Sequence, residues 1–190
     1  MDIDARAAWL DAARVSLAEL LVTLALTGVV LATTYTLLAE GMRTYTVGVA
    51  RAESQQSARA ALSRLAREIR TAGRGGDGDF PAIVIAEDAR ITLVSDLDAD
   101  GAITARGEQI TWQLVGDVLR RNAGGGAQPV ANAVRALTLR YFDGAGRPTT
   151  DPAAIRVVDI TLVTGPDGAG RGLGSTASTT LGTRVRLRNR

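Results

Sequence analysis

The sequence predicts an α+β protein in which one long N-terminal helix covers an antiparallel β-sheet. Three observations carry this. An uncharged run, Leu20 to Leu38, continues without a proline into a helix-forming stretch that reaches Ala72. After Gly73 the apolar spacing changes from three and four residues to two. No second long helical pattern follows, so each one-faced strand has only that helix to cover it.

Residues 1–14 form a short polar leader with Asp2, Asp4, Arg6, Asp11 and Arg14. The next segment, 15–39, is the membrane-spanning half of the helix. Its uncharged core of 19 residues would rise about 28 Å, close to the ~30 Å hydrocarbon core of a bilayer. It is too long for the ~7–15-residue apolar region of a cleavable signal. Arg6 and Arg14 on one side balance Arg43 and Arg51 on the other, so charge does not orient the span.

Residues 40–72 form the amphipathic half. They are rich in Ala, Arg, Gln and Glu, which favour helix. Ala58, Ala61, Leu62, Leu65 and Ile69 recur at three- and four-residue steps and line one face. Gly41 and Gly48 weaken the middle, and Gly73-Arg74-Gly75-Gly76 ends the helix. Residues 73–190 are the sheet domain. Ile83–Ile85 is a short apolar run, and Ile91 and Leu93 alternate with polar neighbours. Ile110, Trp112 and Leu114 share a face, and Gly116-Asp117 turns the chain into Val118–Arg121 as a hairpin. Leu137, Leu139 and Tyr141 follow, then Val158, Ile160 and Leu162. The last strand has Leu181, Thr183, Val185 and Leu187 on one face, with Arg184, Arg186 and Arg188 on the other. About six or seven strands are expected.

Composition narrows the chemistry. The 190 residues contain no His and no Cys. This removes Ser-His-Asp and Cys-His catalysis, His- or Cys-ligated zinc and haem, iron–sulfur clusters and disulfides. No pair of carboxylates stands out as an acid–base couple, and the chain is not expected to be an enzyme. The net charge is +2, every basic residue is Arg, and aromatics make up 4%. That is a poor match to a concentrated basic surface or a base-stacking platform, so no nucleic-acid partner is expected. The glycine-dense Gly168–Gly174 lies between strands. A phosphate loop needs a strand before it and a helix after, so no small-molecule substrate is expected there either.

The stretch Val15-Ser16-Leu17-Ala18-Glu19-Leu20-Leu21-Val22 resembles the start of type IV prepilins and type II secretion pseudopilins. Gln55–Arg70 and the ending Thr183–Asn189 resemble, more narrowly, the PilW minor pilin and pseudopilin J group. The resemblance implies a pilin-like fold. It also implies processing by a membrane prepilin peptidase between Arg14 and Val15, with methylation of the new amine. Arg14 stands where the family has Gly, and Val15 where it usually has Phe. Glu19 would pair with a neighbouring subunit's N-terminal amine and set filament register. A carboxylate at the end of a span costs about 2–3 kcal/mol unless paired, which points the same way. The implied partners are other minor and major pilins or pseudopilins, the peptidase and inner-membrane lipid. The implied location is the inner membrane, single-pass, with the sheet domain periplasmic and at a filament tip.

Asp96-Leu97-Asp98-Ala99-Asp100-Gly101 matches the start of an EF-hand-type calcium loop. Asp96, Asp98 and Asp100 would be ligands, and Ala102 would give a backbone carbonyl. The twelfth position is Gly107, and the nearest acid, Glu108, is the remaining candidate ligand. A solvated Asp/Gly turn between strands is the other reading, and both stand at this point. The expected function is a minor pilin or pseudopilin that initiates or caps a type IV pilus or type II secretion pseudopilus. The alternative is a membrane-anchored, calcium-dependent adhesive or binding module.

Overall fold

The computed structural model describes residues 16–75, 80–165 and 178–189. The leader, the Arg14–Val15 junction and Gly168–Gly174 lie outside the described residues. Helix α1 runs Leu17–Thr71. The chain divides into two compact units between Thr46 and Val47.

In the first unit the helix starts at a capping sequence, Ser16-Leu17-Ala18-Glu19. The Glu19 N–H donates to Ser16 Oγ at 3.2 Å, and the Leu20 N–H to the Ser16 carbonyl at 3.1 Å. The first satisfies a donor that a helix start otherwise leaves open, and the second is the first regular bond of the helix. Every described residue from 16 to 46 is exposed. The helix is long and apolar enough to cross a membrane, and none of its apolar window is buried.

The second unit is the docked half of the helix with eight strands among the described residues. Strands β1 (Ile83–Ala86), β2 (Arg90–Val94), β3 (Gln109–Val115), β4 (Val118–Asn122) and β5 (Ala127–Ala131) form one antiparallel meander in that order. Strands β6 (Val134–Phe142), β7 (Val157–Thr164) and β8 (Thr179–Arg186) form a second. The single expected sheet is thus two. The break falls between β5 and β6, where Ala133 takes a positive φ of 55° and turns the chain out of the first sheet. The expected hairpin at Gly116-Asp117 is present, with Val115 opposite Val118 and Gly116 at φ 64°.

One apolar core joins both sheets to the helix. Ala58, Ala61, Leu65 and Ile69 are buried, and Leu62 packs at the margin. They meet Ile83, Ile91, Trp112 and Leu119 from the first sheet, and Leu139, Val158, Ile160 and Val185 from the second. Alanine on the helix face keeps the contact distance short, and the larger strand side chains fill the space. Polar contacts orient the docking. Glu68 accepts from Trp112 Nε1 at 2.6 Å, Arg121 Nε at 2.9 Å and Arg64 Nε at 3.2 Å. Asn189 Nδ2 donates to the last carbonyls of the helix, Thr71 and Ala72, at 3.1 and 3.3 Å. Gly73 then reverses the chain at φ 74°.

The two parts of α1 should respond differently to the same deletion. In the full chain in neutral detergent, Ile69→Ala should lower unfolding stability by about 2–5 kcal/mol through loss of buried methylenes. Leu31→Ala, on the uncovered part, should change the urea midpoint by no more than the equivalent of ~0.5 kcal/mol.

Candidate functional site

Two features of the chain stand out, one in each unit. The first is the bare helix. From Leu17 to Leu38 eleven Leu and Val side chains are exposed, at 56–78% of their full area. Burying each is worth about 1.5–3 kcal/mol, so the uncovered set represents on the order of 20 kcal/mol in water. That exceeds the ~5–15 kcal/mol stability of an ordinary domain. The threonine hydroxyls of this stretch are already satisfied. Thr23, Thr27, Thr33, Thr34 and Thr36 each donate their hydroxyl to a carbonyl three or four residues back. Glu19 lies in the first turn, where a negative charge complements the helix dipole.

The second feature is the loop between β2 and β3. It closes where the Ser95 N–H donates to the Glu108 carbonyl at 2.9 Å. Asp96 and Glu108 are buried, at 2% and 1% exposure. Each carboxylate is held by backbone. Asp96 Oδ1 accepts from Ala99 N–H at 2.6 Å and Oδ2 from Gly101 N–H at 3.0 Å. Glu108 Oε1 accepts from Leu97 N–H at 2.9 Å, and Oε2 from Thr104 and Ala105 N–H at 2.9 and 2.7 Å. Wrapping around Asp96 puts Ala99 at φ 61° and Gly101 at φ 81°. Gly75 makes this possible from the other side. Its φ is 91°, and a Cβ there would lie 2.0 Å from the Asp96 carbonyl oxygen.

Asp96, Asp98 and Glu108 bring one carboxylate oxygen each within 4.8 Å of one another. Carboxylate oxygens gathered this closely can share one hard cation, for which calcium's oxygen distances are ~2.3–2.6 Å. The buried carboxylates keep lone pairs beyond those given to the backbone. Asp100 is directed elsewhere and accepts from the Ala102 N–H at 2.8 Å. Spacing along the chain groups Asp96, Asp98 and Asp100, while the fold groups Asp96, Asp98 and Glu108. The pairing of β2 with β3, Val94 opposite Gln109, brings Glu108 back to Asp96. That register is the signal a linear motif misses.

No family model matches the chain, and no curated protein matches it. Solved structures are similar. One of them is the GspK–GspI–GspJ complex of the type 2 secretion system of enterotoxigenic Escherichia coli, with a TM-score of 0.44 and 16% identity, over 71% of this chain and 97% of the matched chain.

The acids of the loop are pushed in opposite directions. Backbone hydrogen bonds from Leu97, Ala105 and Thr104 hold Glu108 below the usual carboxylate range against the cost of desolvation. Asp98 is raised, first by desolvation of its carboxylate and then by the charges of Asp100 and Glu108. For Glu108 the folded value lies below the unfolded one. Its stabilisation is present above the unfolded value of 4.5 and is lost as pH falls through the folded value. For Asp98 the folded value lies above the unfolded 3.8, so its ionisation opposes folding once pH exceeds that range. In chelator at neutral pH, Asp98→Asn should raise the melting temperature and Glu108→Gln should lower it. A calorimetric scan of the full chain in detergent reads both.

Proposed function

We propose that this chain is a non-catalytic, membrane-anchored subunit of a pilin-like filament: a minor pilin or pseudopilin that initiates or caps assembly. The observation that carries the reading is the contrast along α1. Its first part exposes an apolar surface that water cannot accept, while Ala58, Leu65 and Ile69 further along are buried against sheets. A lipid bilayer or a bundle of like helices supplies the missing cover. The prepilin-like run from Val15 to Val22 favours a chain that uses both in turn, lipid for storage and helices for assembly. In this reading the prepilin peptidase cuts before Val15, Glu19 pairs with a neighbour's amine, and the sheet domain meets other pilins or pseudopilins on the periplasmic side.

Glu19→Ala tests this. The variant should insert into the inner membrane as well as wild type, because the span only becomes more apolar. It should be lost from filaments and from co-purifying subunits. The same membrane preparation should yield a wild-type chain whose N-terminal mass begins at a methylated Val15. Equal incorporation of variant and wild type would make the carboxylate merely interfacial, and a start near Glu40 would sink the filament role.

A second reading concerns the acidic loop and is favoured by the meeting of Asp96, Asp98 and Glu108. In it the loop binds calcium, either to stiffen a filament subunit or as part of a calcium-dependent binding module on a membrane anchor. Binding to the folded state alone raises stability by about 2.7 kcal/mol at a hundred times Kd. The full chain in detergent should therefore melt several degrees higher in millimolar calcium than in chelator, and Asp98→Ala should remove the difference. Identical wild-type melts in both conditions would leave Asp96 and Glu108 as loop anchors only.

A further inference from the structure

An arginine-lined cleft lies on the second unit, apart from the acidic loop's carboxylates. It is an open depression of about 650 Å³ whose lining includes Arg64 from α1, Arg106 from the β2–β3 loop, Arg121 from β4, and Gly125, Gln128 and Pro129 from the β4–β5 hairpin. Three arginines line it, and Glu68 is the acid that holds two of them, Arg64 and Arg121. Glu68 takes only the Nε–H of Arg64 and of Arg121, and its second oxygen is also held by Trp112. A guanidinium carries five N–H donors, so four remain on each. Among the described residues no hydrogen bond engages them, and Arg106 has no carboxylate within 4.0 Å.

The cleft is built by the chain. Glu68 fixes two of the arginines by their Nε atoms, which holds their planes in place. The third depends on a glycine. Arg106 lies over Gly125, where a Cβ would meet Arg106 Nη2 at 2.0 Å. The hairpin is tightened by Asn122 Oδ1, which accepts from the Gly124 N–H at 3.0 Å. Arg106 itself is exposed and comes from the short stretch that Glu108 anchors through Thr104 and Ala105.

We propose that this cleft binds an acidic peptide segment of a partner protein. Three guanidiniums, of which Glu68 pairs with two, leave a local excess of positive charge, and the guanidinium fork matches carboxylates bidentately. The volume is within the usual range for a ligand site, ~300–1,000 Å³. It is large for one isolated anion and suits several carboxylates spaced along an extended chain. The cleft borders β5, an edge strand with Gln128 and Pro129 exposed, along which such a chain could lie. The inference goes beyond the filament reading and does not depend on the role of α1.

The test uses the full chain in neutral detergent and a fluorescein-labelled hexaglutamate peptide, read by anisotropy. Wild type should bind saturably, and affinity should fall with added salt. Arg106→Gln should weaken binding about tenfold or more, and its exposed position leaves the fold intact. Gly125→Ala keeps the net charge but displaces the Arg106 guanidinium, and should also weaken binding several-fold. Arg140→Gln removes one exposed charge elsewhere and should leave the affinity unchanged. Absence of saturable binding would overturn the proposal. So would equal losses in Arg106→Gln and Arg140→Gln, since that means diffuse charge. Full displacement of the peptide by an equal concentration of inorganic phosphate would assign the cleft to small free anions instead.

Discussion

The carboxylate of Glu68 is the point on which the docking of the helix turns. The Ala58–Ala61–Leu65–Ile69 face selects which side of the helix meets the sheets, and directional polar bonds fix its rotation more finely. A one-residue slip turns a helix by about 100°. Glu68 removes that freedom because it must meet two partners on neighbouring strands. Trp112 on β3 and Arg121 on β4 are directly opposite in the ladder, so they share a face of the sheet. A slip of β4 by one residue would turn Arg121 away, and the carboxylate would lose a charge-assisted bond worth about 1.5–3 kcal/mol. One side chain therefore constrains helix rotation and strand register together. The hairpin from β4 to β5 then inherits its position from that register.

Much of the architecture was legible in the residues because period reports exposure. The uncharged run from Leu20 to Leu38, the three-and-four spacing from Ala58 to Ile69 and the alternation at Leu137, Leu139 and Tyr141 each correspond to an observed surface. Strand β5 was not legible. Ala127-Gln128-Pro129-Val130-Ala131 has no alternation and carries a proline, which a strand tolerates at the edge of a sheet. The division into two sheets was hidden for a similar reason. It depends on a positive φ at Ala133, and alanine gives no sign of that in a sequence.

The acidic loop shows the same limit at the scale of a site. Asp96, Asp98 and Asp100 are conspicuous because they are adjacent in the chain. Adjacent carboxylates at alternate positions share space only if the backbone coils, and here Asp96 itself organises the coil by taking the Ala99 and Gly101 N–H groups. Glu108 stands in the sequence as a candidate ligand just past the twelfth position of the motif. Its role as acceptor for three backbone donors follows from tertiary closure between Ser95 and Glu108. The Arg64–Arg106–Arg121 cleft had no linear signature at all, since its members are separated by a helix, a loop and a strand.

The threonines of the bare helix have a consequence for its energetics of transfer. Their hydroxyls are returned to the helix's own carbonyls, so the outer surface presents methyl groups and apolar side chains. Moving those threonines from one apolar medium to another neither breaks nor makes a hydrogen bond. Their exchange free energy is then set by packing differences alone, which are small per residue and close to reversible. A helix carrying free hydroxyls would favour whichever medium offered acceptors and would stay there. The threonines give this one no such preference, so the polar groups that tip its partition are the Glu19 carboxylate and the exposed Tyr35 hydroxyl.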